Sequence, residues 1–154
     1  MNQLPAKYMF LVVVIAALVF NGCSESNPVD HDDDHARGVG IKITQSGATV
    51  VSYKYDEPVV GALTAKVGEL SPAYDFQLID EDGDAYTPST DHHELRWEIA
   101  NTSIAELWQH EGEEGGFEFH VRGLAAGSTT VVFKVYHEGH ADFVSKAVPI
   151  NITN

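Results

Sequence analysis

Residues 39–154 predict an all-β fold, an antiparallel β-sandwich. Two observations carry this. Short segments rich in Val, Ile, Thr, Tyr and Phe are separated by Gly, Pro, Asp and Ser, and no stretch has the spacing of a long amphipathic helix. The better segments also alternate with period two, as a sheet with one dry and one wet face requires.

The elements follow in order. Segments 39–44 and 49–55 flank a Ser46-Gly47 turn, and 60–67 and 73–79 flank a connection from Gly68 to Pro72. Segments 94–100, 104–110 and 117–122 come next, and 129–137 and 143–153 close the domain. In 129–137, Val131, Phe133 and Val135 share a face opposite Thr130, Lys134 and Tyr136, with Val132 blurring the split. Phe117, Phe119 and Val121 likewise oppose Glu118, His120 and Arg122. Between strands, Asp80-Glu81-Asp82-Gly83-Asp84 has the alternate Asp residues of a calcium loop. Position 91 is Asp91 where an EF-hand needs a bidentate Glu, so an acidic hairpin turn is the better reading.

Within Trp97–Ile152, Ser103-Ile104-Ala105 and the run Gly123-Leu124-Ala125-Ala126-Gly127-Ser128-Thr129-Thr130-Val131 resemble bacterial Ig-like domains of surface proteins. The resemblance implies an Ig-like sandwich of about seven to nine strands by segment count. It says little about function. In that run Gly123 is expected to end a strand, Leu124 to plug the core and Gly127 to permit the turn.

The chain begins differently. Lys7 precedes an apolar run from Met9 to Phe20, and Leu18-Val19-Phe20-Asn21-Gly22-Cys23 leads into the single cysteine. This resembles a bacterial lipoprotein signal peptide with its lipobox, with Phe20 in place of the usual Leu. The resemblance implies cleavage after residue 22 and lipidation of Cys23. It also implies a cell-envelope address, tethered to a membrane, with Ser24 favouring the outer one. The apolar run of twelve residues is short for an uncleaved membrane helix, which needs about 20. The expected organisation is a signal peptide (1–22), a flexible acidic and His-bearing tail (23–38) and one sandwich domain (39–154).

Lys7 is the only charged residue before Cys23, so the remainder carries eight Lys and Arg against 23 Asp and Glu, a net charge of −15 with neutral histidines. Such a surface repels phosphate backbones, which excludes nucleic acid as a partner, and it attracts cations. One cysteine permits no intrachain disulfide, and a lipidated one leaves no thiolate for catalysis or metal. No Gly-x-Ser-x-Gly, phosphate-cradling Gly loop or His-Glu-x-x-His occurs, so the sequence indicates no enzyme.

Eight histidines are the remaining anomaly. Neutral imidazole is the commonest protein ligand for zinc and also binds copper well. His31 and His35 bracket three Asp in the tail, either a metal-collecting tract or a solvated spacer. In His137-Glu138-Gly139-His140-Ala141-Asp142 a sharp turn at Gly139 lets two imidazoles converge, with Asp142 as third ligand or as their anchor. A polar hairpin tip is the plainer alternative. His92, His93, His110 and His120 are dispersed. Pairing residues that sum to about 227 sets Trp108 opposite Phe119 and sends His110 and His120 to different faces. The preferred cluster is His120 with His140 and either His137 or His92.

The expectation is a lipid-anchored protein that binds a divalent transition metal, zinc or copper, for capture, buffering or delivery to a metal transporter. The alternative is a structural or adhesive module using Tyr53, Tyr55, Tyr74, Trp97 and Trp108 as contacts, although those rings suit a core better.

Overall fold

A computed structural model describes residues 35–154; the expected signal peptide, Cys23 and His31 lie outside the described residues. The described chain is all-β, with twelve strands and no helix. One sheet holds seven strands: β1 (Gly40–Gln45), β2 (Ala48–Lys54), β3 (Val60–Gly61), β5 (Tyr74–Ile79), β6 (Ala85–Tyr86), β8 (Ala105–Trp108) and β9 (Glu118–Gly123). Their order is β3-β2-β1-β5-β9-β8, with β6 beside β5. The other sheet holds β4 (Leu63–Lys66), β7 (His93–Ile99), β10 (Gly127–His137), β11 (His140–Val144) and β12 (Val148–Thr153).

The sandwich is therefore present, with more strands than expected. Segment 60–67 divides at Ala62 into β3 and β4, one in each sheet, and the closing segment divides into β11 and β12. One pairing between the named strands is parallel, β12 with β4.

The eleven residues of β10 organise the second sheet. On one edge β10 pairs with β7 from Val131 to His137. On the other it pairs first with β12, up to Val131, and then with β11, from Lys134. Its odd-numbered residues from Thr129 to His137 are all buried, so the alternation read from the sequence runs unbroken to the strand end. Where β10 changes partner, Phe133 would lose its backbone bonds. Ser145 replaces them: its Oγ accepts from Phe133 N at 2.8 Å, and its N–H donates to Phe133 O at 2.8 Å.

Phe133 packs at 5.2 Å from Phe76 and 5.1 Å from Phe119, joining the two sheets through their rings. Tyr74 of β5 crosses the sandwich too, its hydroxyl accepting from Thr64 N and donating to Thr64 O. Tyr53 and Tyr74 are thus core residues, and only Tyr55 of the expected contact tyrosines is exposed. Leu124 does not plug the core; it is 43% exposed. The inward phase of β9 is Phe119, Val121 and Gly123, so the next residue points out.

The domain also begins earlier than residue 39. Ala36 is buried in the core, and Gly38 lies so close to Leu78 and Phe143 that a Cβ there would meet both within 3.1 Å. The Tyr86 hydroxyl is held by the Arg37 backbone; burial and the charge of Asp80 push its pKa up. Residues 35–38, assigned by composition to a flexible tail, pack against the sandwich.

Replacing Ser145 with Ala leaves the buried Phe133 N–H without a partner, and unfolding free energy should fall by about 1–3 kcal/mol. Phe133→Ala, which opens a cavity between the sheets, should cost about 3–5 kcal/mol. Urea denaturation followed by tryptophan emission checks both.

Candidate metal centre

The period-two phase of β10 ends by delivering His137, 5% exposed, to the rim of the core. The next two residues, Glu138 and Gly139, both have positive φ, 48° and 89°. This is the geometry of a tight two-residue hairpin, and it sets His140 directly across from His137. Two residues on, the pairing of β10 with β11 slips between Val135 and Tyr136, so Asp142 is an extra residue in β11. This bulge lets Asp142 and Phe143 both turn away from solvent. On the other edge of β10, His93 pairs with His137, and their rings stack at 4.9 Å.

Asp142 is the hub. Its side chain is 3% exposed. Oδ1 lies 3.1 Å from His35 Nδ1 and 3.1 Å from His140 Nε2, and Oδ2 accepts from Ala36 N at 3.0 Å. His93 Nε2 and His137 Nδ1 face Oδ2 from 3.7 and 3.9 Å, beyond hydrogen-bond length. Both nitrogens are buried without a hydrogen-bond partner among the described residues. His93 Nδ1 lies 3.2 Å from the carbonyl of Ser89, which can only accept. Nδ1 therefore donates to it, and the ring is held with Nε2 turned toward the carboxylate.

Burial pushes the Asp142 carboxyl up, but the Ala36 N–H, the His35 hydrogen bond and charge, and the charge of His137 outweigh it. Its pKa lies below the ordinary carboxylate value.

Ligand atoms of His35, His137, His140 and Asp142 lie within 4.8 Å of one another. Two of the three ring spacings suit a shared ion, His35–His137 at 5.1 Å and His35–His140 at 5.4 Å, while His137–His140 is wider at 5.9 Å. Two imidazoles ligating at about 2.0–2.1 Å and a tetrahedral angle have centres about 5.1–5.2 Å apart. Three nitrogens and one oxygen match the donor types and number of a tetrahedral zinc shell. Half-buried His35 and exposed His140 line an open depression with Ala36, Arg37 and Gly38, which gives an ion its entry.

The structure thus joins His137, His140 and Asp142, as the turn sequence indicated, and adds His35 from the expected tail. It does not join His120, which is placed with His110 and Trp108. The β8–β9 register is one residue from that expected: Trp108 pairs with His120, not Phe119. His110 and His120 consequently meet, with ring centres 5.2 Å apart. His92 is exposed just before β7, its ring 6.4 Å from that of His137. The inward residue is its neighbour His93, which the period of Leu95 and His93 along β7 would have indicated. The acidic turn carries no cluster: Asp80 Oδ1 accepts from Gly83 N and Asp84 N, closing the hairpin itself.

No family model matches the chain. No curated protein matches it. Among solved structures, domains 4 and 5 of the S-layer protein SbsC align with 68% of this chain and 64% of that fragment, at 18% identity and a TM-score of 0.42. Domains 5–6 of that protein align over 60% of this chain and 39% of theirs, at 21% identity and a TM-score of 0.41. Domains 4–9 align over 69% and 16%, at 21% and 0.42. These values describe a distant likeness of fold.

The Asp142 linkage has a definite sign. A depressed carboxyl pKa stabilises the folded state fully above about pH 4, the ordinary Asp value, and this is lost as pH falls through the folded value. Asp142→Asn removes that titration. Between about pH 4 and pH 2 the urea midpoint of the wild type should fall more steeply than that of the variant; parallel curves would refute the linkage.

Proposed function

We propose that this protein binds one divalent transition-metal ion through His35, His137, His140 and Asp142, with zinc the best fit and copper next. The observation that supports it is the convergence of three imidazoles on a buried carboxylate, with His137 Nδ1 buried and unpartnered. A buried polar atom without a partner costs about 1–3 kcal/mol, and an ion at that point removes the cost. His93, held by Ser89, orients the stacked His137 ring from behind. The chain's net charge of −14 raises the local concentration of cations.

The lipoprotein-like start belongs to the same reading. A lipid on Cys23 would hold the domain outside the cytoplasm at a membrane, where it captures or buffers metal or passes it to a transporter.

A second reading has its own support. Four protein ligands complete a tetrahedral shell, and closed shells are typical of structural rather than transfer sites. His35 comes from before the first strand, so an ion there would fasten the entry segment to the last hairpin. On this reading the protein is a structural surface module whose ion stays in place. Transfer to a competing chelator separates the two. Loss within seconds supports capture and delivery, whereas retention for hours together with a raised melting temperature supports the structural role.

Zinc titration of the full-length Cys23→Ser chain in mild detergent should give one site, micromolar or tighter. His137→Ala or His140→Ala should weaken it by about 100-fold, while His92→Ala should change it less than about threefold. Nitrogens that now face Asp142 must release protons to ligate. Binding heat should therefore vary with buffer ionisation enthalpy, and affinity should drop below about pH 6.5. An affinity no tighter than about millimolar would end the proposal.

A further inference from the structure

The misplaced histidines form a second constellation on the other sheet. His120 lies on β9, and its Nδ1 is 2.8 Å from the carbonyl oxygen of Ser71. That oxygen only accepts, so Nδ1 carries the proton and Nε2 presents a lone pair. The Ser71 platform is rigid. The residue is buried, its N–H donates to Val121 O, and its Oγ accepts from Val121 N. A ring held from behind by a backbone carbonyl, with its far nitrogen free, is the usual arrangement of a metal-ligating histidine.

That far nitrogen is buried and has no hydrogen-bond partner among the described residues. The neighbours of its ring are aromatic. His110, exposed just beyond β8, stands edge-on to His120 at 5.2 Å between centres and 86° between planes. Trp108 lies 4.5 Å from His110 and 5.5 Å from His120.

We propose that His110 and His120 form a second metal site, selective for a cuprous ion and covered by the Trp108 indole. Two nitrogens leave the four-ligand shell of zinc half filled, which disfavours zinc here. A soft monovalent ion accepts few ligands, and an indole face beside it adds cation–π attraction. The site shares no residue with the His35–Asp142 centre and stands or falls separately from it. A purely aromatic three-ring cluster is the competing account, and it predicts no metal response.

The test uses the full-length chain in mild detergent, carrying Cys23→Ser to remove the thiol, His137→Ala and His140→Ala to disable the first centre, and Trp97→Phe so that Trp108 alone reports. Cuprous ion is added anaerobically against bicinchoninate, and tryptophan emission is followed. Quenching should saturate at one equivalent. His110→Ala should weaken binding at least about tenfold and His120→Ala about 10–100-fold, the range for lost metal-shell residues. His110 is exposed, so its replacement keeps the fold, checked by an unchanged melting temperature. Zinc should not quench. Absence of quenching, or an affinity in His110→Ala within about threefold of its parent, overturns the proposal.

Discussion

The period-two phase of β10 is the constraint from which the rest follows. The strand is flanked by β7, β11 and β12, and its inward residues serve different parts of the molecule. Thr129 caps the loop at Asn101, Val131 and Val135 fill the core, Phe133 links the sheets, and His137 reaches the site. A slip of one residue would turn all of these to solvent together. Core packing and site geometry are therefore one requirement, and the buried imidazole at its end is held by the same register that buries the phenyl ring at its centre.

What was legible in the sequence was local. The strong alternation of 129–137 and the Glu138-Gly139 turn fix the relative positions of His137, His140 and Asp142 within six residues. No long-range pairing enters that argument. His35 was named as a tail ligand, but its place beside Asp142 was not legible, because an acidic stretch without apolar period reads as unstructured. Its ordering comes from Ala36 entering the core and from Asp142, 106 positions away, accepting the Ala36 N–H. The expected separation of His110 from His120 failed on a register that differs by one, set by Ala105 pairing with Gly123, and His120 misses the centre because β9 lies in the other sheet from β10 and β11. Leu124 failed for a related reason: a glycine already occupied the inward position.

The bulge at Asp142 shows how a small backbone irregularity sets chemistry. An uninterrupted β11 would alternate past Asp142 and lose either the carboxylate or Phe143 from the interior. The extra residue keeps both. The carboxylate then orders the surroundings through three short contacts, while two imidazole nitrogens remain just out of reach of it. This asymmetry, a satisfied anion beside two buried ring nitrogens without hydrogen-bond partners, distinguishes the centre from a surface ion pair. The surface pairs, such as Arg122 with Glu106 and Lys134 with Glu98, are solvated and contribute little.

The first and last strands each lie between two neighbours, β1 between β2 and β5, and β12 between β10 and β4. Neither margin of the sandwich is formed by a terminal strand. Peeling from an end would have to break two ladders at once, so the fold resists unzipping by tension. Shortening the domain from either side would remove an inner stave rather than trim the rim.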